Sequence, residues 1–342
     1  NTGVADLTYS LTVGVEQTSQ SVSAQSDEIE WVSCANSPVA LCCVATDPTT
    51  GILYAQQNRG YAFYRYLPES DTWETLAQSP FYSGNNGGAE YLDGKIYTTY
   101  TSEDYYIGIY DIARNSWTYI DNGPLEGTGV IATDGTHLYF LDAYSFRRYT
   151  PSTNTWQTLQ NAPFGHDEWG SMDYADGYLY LARGDGYTEF ARYNIAEGSW
   201  ELLQSLPGGA VLGGAIDPQG KAFYTYGDYG GNTLYRYDIR SGVWQTSSIP
   251  VFSYVDDGGM AYSPVPTPRI YAVAGEDGTG FAYINIGEWL SVAPVNGRIS
   301  AGGSNELTVT IDTDGLPLGE HHGTISIESN DPVAPRIDVP VT

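Results

Sequence analysis

In the segment FGHDEWG (Phe164–Gly170), His166, Asp167 and Glu168 stand side by side. A histidine flanked by carboxylates can be tuned upward in pKa and act as a proton donor, with a carboxylate as base. Arg59 and Arg183 are the cations placed to assist, so His166, Asp167, Glu168 and Arg183 are the acid–base candidates. No nucleophile elbow or phosphate loop accompanies them, and with four histidines in all, no copper-ligand set is traceable. The expectation is a non-catalytic protein. A lyase or epimerase acting on carbohydrate is the enzymatic alternative.

Other loops combine aromatic rings with carboxylates and amides. FYSGNNGG carries Tyr82, Asn85 and Asn86; TSEDYYIG carries Asp104, Tyr105 and Tyr106; FGHDEWG adds Trp169. RGDGYTEF carries Tyr187, GDYGGNTL carries Asp228 and Tyr229, and VFSYVDDGG carries Tyr254, Asp256 and Asp257. Flat rings stack on the C–H faces of sugars while carboxylates and amides accept from hydroxyls, which makes Tyr82, Asn85, Asn86, Tyr105, Tyr106, Trp169, Tyr187, Tyr229 and Tyr254 the candidate ligand contacts. Asp104, Asp228, Asp256 and Asp257 are the candidate ligands of a Ca²⁺ ion, a hard cation that takes oxygen donors; no other cofactor is expected. The tripeptide Arg183–Asp185 reads as a Gly-Asp turn, and His321 beside His322 lacks the spacing of a zinc helix.

The chain has 342 residues and a net charge of −27, from 14 basic and 41 acidic residues. Nucleic acid and anionic membrane surfaces need clustered cations, so neither is expected as a partner. Disorder is excluded, because 41% hydrophobic and 14% aromatic residues supply ample apolar surface to bury. No apolar run approaches the ~20 residues of a membrane-spanning helix. Of the three cysteines, a bridge from Cys34 to Cys42 or Cys43 is open, with small buried thiols the plainer reading.

A repeat positions the candidate loops. YLPESDTWETLAQSP, YDIARNSWTYIDNGP, YTPSTNTWQTLQNAP, YNIAEGSWELLQSLP and YDIRSGVWQTSSIP share a Tyr, a Trp seven residues later and a Pro six or seven after that. The Trp spacings are 44, 39, 44 and 44, a period that indicates a solenoid or propeller. Before each Tyr lies a glycine-bearing strand, a turn rich in Asp-Gly, Pro or Gly, and a second strand such as KIYTTY or YLYLA. Each unit therefore reads as four antiparallel strands, a to d, with glycines on a where backbones crowd the centre. The sixth copy lacks its own d strand, and EIEWVSCANSP, with Trp31 and Pro38, supplies it from the N-terminus. The expected fold is all-β: a six-bladed β-propeller over 27–285, its ring closed by the N-terminal d strand. The candidate loops then share one face, around the mouth of the central channel.

The glycines before strand b and the Tyr…Trp spacing resemble the Kelch family and its bacterial Kelch-like relatives over about three quarters of the chain. Clean Gly-Gly pairs are missing from blades 1, 3 and 4, so a looser Kelch-like propeller is implied. The remainder resembles bacterial Ig-like modules of the Hydin and BACON type, through WLSVAP, AGGS, ELTVTID, GLPLGEHHGTISI and SNDP. Such modules carry a strand like NTGVADLTYS shortly before WLSV, and here it stands at the N-terminus. The resemblance implies a propeller inserted into an Ig-like β-sandwich made of 1–14 and 286–342, with 15–26 as linker. It also implies an excerpt or processed segment of a longer bacterial polypeptide, or a first strand taken from a neighbouring chain. The function expected is a recognition or adhesion module, extracellular or at the cell surface, whose partner is a glycan or an extracellular protein. A structural subunit contacting neighbouring copies through its Ig-like part is the other expectation.

Overall fold

The computed structural model describes residues 6–16, 29–84, 88–99, 106–121, 129–142, 144–165, 170–217, 222–227, 231–253, 255, 258–265, 267–275, 278–286, 290–294, 296–311, 322–332 and 335–342. Every regular element among them is a β-strand. The chain divides into two compact units, Trp31–Ile286 on the one hand and Asn1–Glu30 with Gly287–Thr342 on the other.

The larger unit is a six-bladed propeller, each blade a four-stranded antiparallel sheet with strands a to d from the axis outward. Blade 1 comprises Leu41–Thr46, Leu53–Gln57, Phe63–Leu67 and Thr72–Thr75, and blade 2 Ala89–Leu92, Lys95–Thr99, Tyr106–Asp111 and Ser116–Asp121. Blade 3 is Val130–Thr133, Leu138–Asp142, Ser145–Thr150 and Thr155–Thr158; blade 4 is Ser171–Ala175, Tyr178–Ala182, Phe190–Asn194 and Ser199–Leu202. Blade 5 is Ala210–Ile216, Ala222–Gly227, Thr233–Asp238 and Val243–Ser248. Blade 6 takes a, b and c from Met260–Ser263, Arg269–Val273 and Phe281–Asn285, and d from Val32–Ser33. The a strands neighbour one another in cyclic order, so the ring is closed. Val32 pairs with Tyr283 and Ser33 with Ala282, which covers the edge that blade 6 would otherwise expose.

The repeated Tyr, turn and Trp have one physical explanation. Tyr66, Tyr110, Tyr149, Tyr193 and Tyr237 on c stand directly opposite Trp73, Trp117, Trp156, Trp200 and Trp244 on d. The c–d turn between them needs a left-handed residue five positions after the Tyr. Gly198 (φ 68°) and Gly242 (φ 72°) fill that place in blades 4 and 5. In blades 1 to 3 it is Asp71, Asn115 or Asn154, residues that tolerate the conformation and whose carboxylate or amide oxygen accepts the Tyr hydroxyl at 2.7, 2.8 and 2.9 Å. The Trp indole reaches the preceding blade. Trp73 donates to the Ala35 carbonyl at 3.0 Å, Trp117 to Ala77 at 2.8 Å, Trp200 to Gln160 at 3.0 Å and Trp244 to Gln204 at 2.9 Å. Each acceptor lies four residues after the preceding Trp. The same rings pack on Phe281, Phe63, Phe146 and Phe190 of that blade, with centroids 4.8–5.0 Å apart. At the seam where the ring closes, the buried Trp31 Nε1 finds no acceptor among the described residues.

Glycine on strand a answers to crowding at the axis. A Cβ on Gly258 would lie 2.3 Å from the Val273 carbonyl oxygen, and one on Gly213, itself at φ 59°, 2.6 Å from the Gly258 oxygen of the next blade. The a–b hairpins Asp93-Gly94 and Asp176-Gly177 hold both residues at positive φ, which matches the twist of their strands.

The smaller unit has a four-stranded sheet in the order Asn296–Ile299, Leu7–Glu16, His322–Ser329, Arg336–Val341, and a pair Leu290–Ala293 with Thr308–Ile311. Tyr9, Leu11, Leu290, Val292 and Ile325 form its core. The strand nearest the N-terminus thus pairs with strands that follow the propeller in sequence: Leu7 lies opposite Ile299 and Val13 opposite Ile325. The linker assigned to 15–26 lies outside the described residues beyond Glu16.

Truncating the indole should open an inter-blade seam. Trp200→Ala is expected to lower unfolding stability by ~3–5 kcal/mol and Trp200→Phe by about 1 kcal/mol, measured by urea titration. Val32→Pro/Ser33→Pro, which unpairs strand d of blade 6, is expected to melt lower and to associate with concentration in light scattering, because strand c of blade 6 becomes a free edge.

Candidate functional site

The b–c and d–a connections lie on one face of the propeller and are bonded to each other. In five blades the residue before the motif proline donates its N–H to a b–c carbonyl: Ser37 to Thr279 at 2.8 Å, Ser79 to Tyr61 at 2.8 Å, Ala162 to Tyr144 at 3.3 Å, Leu206 to Thr188 at 2.9 Å and Ile249 to Asn232 at 2.6 Å. The proline that follows has no N–H and ends the strand there. Blade 1 adds Arg59 N–H to the Gly84 carbonyl at 2.9 Å and Gly60 N–H to Ser83 Oγ at 3.1 Å. The loops therefore form a braced platform.

Tyr82 is exposed on this platform and meets Tyr61 edge-on, with centroids 5.5 Å apart. Tyr187 is exposed as well, and the Arg183 guanidinium covers one side of its ring at 3.6 Å. Arg183 also pairs with Glu189 at 2.6 Å, so its charge is held within its own loop. Gly184, Asp185 and Gly186 run at φ 86°, 49° and 73°, which makes the Arg-Gly-Asp tripeptide part of a tight turn. Tyr106 begins strand c of blade 2 and pairs through its backbone with Asp121. Asn85, Asn86, Asp104, Tyr105, His166, Asp167, Glu168, Trp169, Asp228, Tyr229, Tyr254, Asp256 and Asp257 lie outside the described residues. Sequence reasoning missed Tyr61 and Tyr144, both exposed in b–c connections of this face. Their signal was position in the repeat, since each follows strand b by a few residues.

A second feature sits at the axis. A cavity of about 260 Å³ is lined by strand a of all six blades, including Thr46, Glu90, Ile131, Asp173, Gly214 and Met260. Asp173 accepts from Tyr174 N–H and from Ile216 N–H of the next blade, each at 2.7 Å. Burial still pushes its carboxyl up to about 7. Burial, and secondarily the Asp173 charge, hold Glu90 well above the usual carboxylate range. The three cysteines are free thiols: Cys42 and Cys43 are buried with sulfurs 3.7 Å apart, and burial pushes half-buried Cys34 up to about 11, which makes it a poor nucleophile.

Both channel carboxyls keep protons in the folded state that the unfolded chain releases. The stabilisation is complete below the ordinary carboxylate pKa and is lost as pH rises through the folded values, Asp173 at about 7 and Glu90 above its usual range. Unfolding free energy is therefore expected to fall between pH 5 and 8 by on the order of 1–4 kcal/mol, and the slope to flatten in Glu90→Gln/Asp173→Asn, as measured by denaturant titration across pH.

No protein-family model matches the chain. It is similar to a Kelch domain-containing protein of Sulfurisphaera tokodaii, with 32% identity over 95 residues, which are 25% of this chain and 13% of that protein's length. Among solved structures it is similar to a structural-genomics protein of unknown function from Bacteroides thetaiotaomicron VPI-5482, at 16% identity, 80% coverage of this chain, 76% of the other and a TM-score of 0.57. It is likewise similar to YjhT, at 14% identity, 81% and 99% coverage and a TM-score of 0.59. At such identities the likeness shows the fold alone, and that fold is the all-β propeller.

Proposed function

We propose that this chain is a non-catalytic recognition module of a larger extracellular or cell-surface bacterial protein, and that it grips a glycan or a protein surface through the braced loop face of the propeller. The observation that carries this reading is the set of exposed tyrosines on that face, Tyr61, Tyr82, Tyr144 and Tyr187, at 48%, 40%, 56% and 42% exposure. The tyrosines and phenylalanines of the inter-blade seams are buried, whereas these rings stand out from the packing. Tyrosine offers a rigid ring and a polar tip at small entropic cost, which suits sugar faces and protein hot spots. A net charge of −27 favours a neutral or basic partner.

The smaller unit, read as an Ig-like sandwich interrupted by the propeller, favours a second role as a docking point in an assembly. Ile311 and Val309 lie opposite Leu290 and Val292, while Ile337 and Val339 lie opposite Ile327 and Ile325. They share the core-side face of their sheets, yet they are 52%, 45%, 51% and 41% exposed. An edge of this kind accepts an added β-strand.

Glycan-array and pull-down screening, followed by titration of the best ligand, tests the first reading. Replacing Tyr61 and Tyr82 by Ala is expected to weaken binding by at least ~1 kcal/mol per ring without lowering the melting temperature. Binding that survives loss of all four tyrosines would sink it. Reversible self-association in sedimentation, abolished by Val309→Asp, would move the emphasis to assembly.

A further inference from the structure

The axial cavity carries an inference independent of the loop face. Opposite the tyrosine of strand b, strand a places Ala45 against Tyr54, Ala132 against Tyr139, Ala215 against Tyr224 and Ala261 against Tyr271. In blades 2 and 4 the same place holds Glu90, against Tyr97, and Asp173, against Tyr180. Four blades show that the fold is built with a methyl group here. A buried carboxyl in its stead is costly unless it is compensated.

Asp173 is partly compensated, since both its oxygens accept backbone amides. Glu90 is half-buried, lines the cavity, and has no hydrogen bond or ion pair to a group of opposite sign among the described residues. None of the described residues lining the cavity is Lys, Arg or His. The titratable groups there besides the two carboxyls are Tyr174, Tyr262, Cys42 and Cys43. Nearby, the buried Thr46 Oγ1 is also without a partner. A positive charge from outside would meet these unmet acceptors.

The identity of that charge follows from the remaining walls. A Ca²⁺ ion takes six to eight oxygens, and here the Asp173 oxygens are already engaged. The Gly129, Gly213 and Gly259 carbonyls accept from Thr99, Thr225 and Tyr226 hydroxyls. Val44, Ile131, Met172 and Met260 offer apolar surface and no ligand for a hard ion. An ammonium group needs only a few acceptors and can bring an apolar body with it. We propose that the axial channel is a binding site for a small organic amine in its ammonium form, with Glu90 as the ion-pairing group and Asp173 beside it.

Calorimetric titration of the full chain with n-butylammonium chloride at pH 8 tests this. Expected is saturable binding, with an affinity about 30-fold or more weaker in Glu90→Gln. Glu90→Ala, which installs the residue of four other blades, is expected to melt at or above the parent temperature when empty and to lose butylammonium binding. The neutral probe n-butanol is expected to bind no better to the parent than to either variant. Absence of saturable butylammonium binding, or binding indifferent to Glu90, would overturn the proposal. So would Glu90-dependent binding of Ca²⁺ that excludes butylammonium, which would make the channel a metal site. A lower melting temperature in both empty variants would also overturn it, by making Glu90 a structural residue.

Discussion

The indole N–H of Trp73, Trp117, Trp200 and Trp244, donated to a carbonyl of the preceding blade, is the interaction on which the ring depends. A four-stranded blade cannot bury both faces alone. It needs a neighbour at a fixed rotation, and a directional bond at the outer strand sets that rotation while the ring packs on the neighbour's phenylalanine. The Tyr opposite the Trp holds it in place, and the Tyr hydroxyl is itself held by the turn residue in blades 1 to 3. Asp71 and Asn115 also accept the N–H of Ala35 and Ala77 in the preceding blade, so one short turn serves its own blade and its neighbour. The seam made by Trp31 is the exception. The Trp31 ring meets Phe252, in the connection between blades 5 and 6, and its indole nitrogen is buried without an acceptor among the described residues. Closure there rests on the strand pairing of Val32 and Ser33 and on the bonds of Cys34 and Ser37.

Fixing the outer strands has consequences at both the axis and the loop face. Six a strands converge, glycine is required where they touch, and the enclosed space left between them is small. A carboxyl placed there is half-buried among the converging strands, and that burial raises the pKa values of Glu90 and Asp173. The loop face is free of this crowding. Its connections brace one another through the bonds made just before each proline, and they hold tyrosines outward on a stiff base. A stiff aromatic platform and an acidic axial cavity differ in shape and chemistry.

The smaller unit shows the opposite economy. Among the described residues its buried core is Tyr9, Leu11, Leu290, Val292 and Ile325, and apolar side chains on the core-side face of two edge strands remain half exposed. An antiparallel sheet normally buries that face against a second layer. The smaller unit is thus left with an exposed apolar stripe, whereas each blade of the propeller has its four strands paired.

The sequence by itself determined the repeat, the blade count and the strand that closes the ring, because Tyr, Trp, Pro and the left-handed turn residue recur at spacings set by local geometry. Such spacings are properties of one blade and can be read along one chain. Tertiary structure decided what two or more blades make together. That Trp73 bonds Ala35, that Tyr61 meets Tyr82, and that Arg183 is held by Tyr187 and Glu189 depend on distances across loops. Glu90 and Asp173 were visible as letters, but only the strand registers showed that they replace alanine. Only ring closure showed that they line one cavity, since burial is a property of the assembled ring and not of any residue in it.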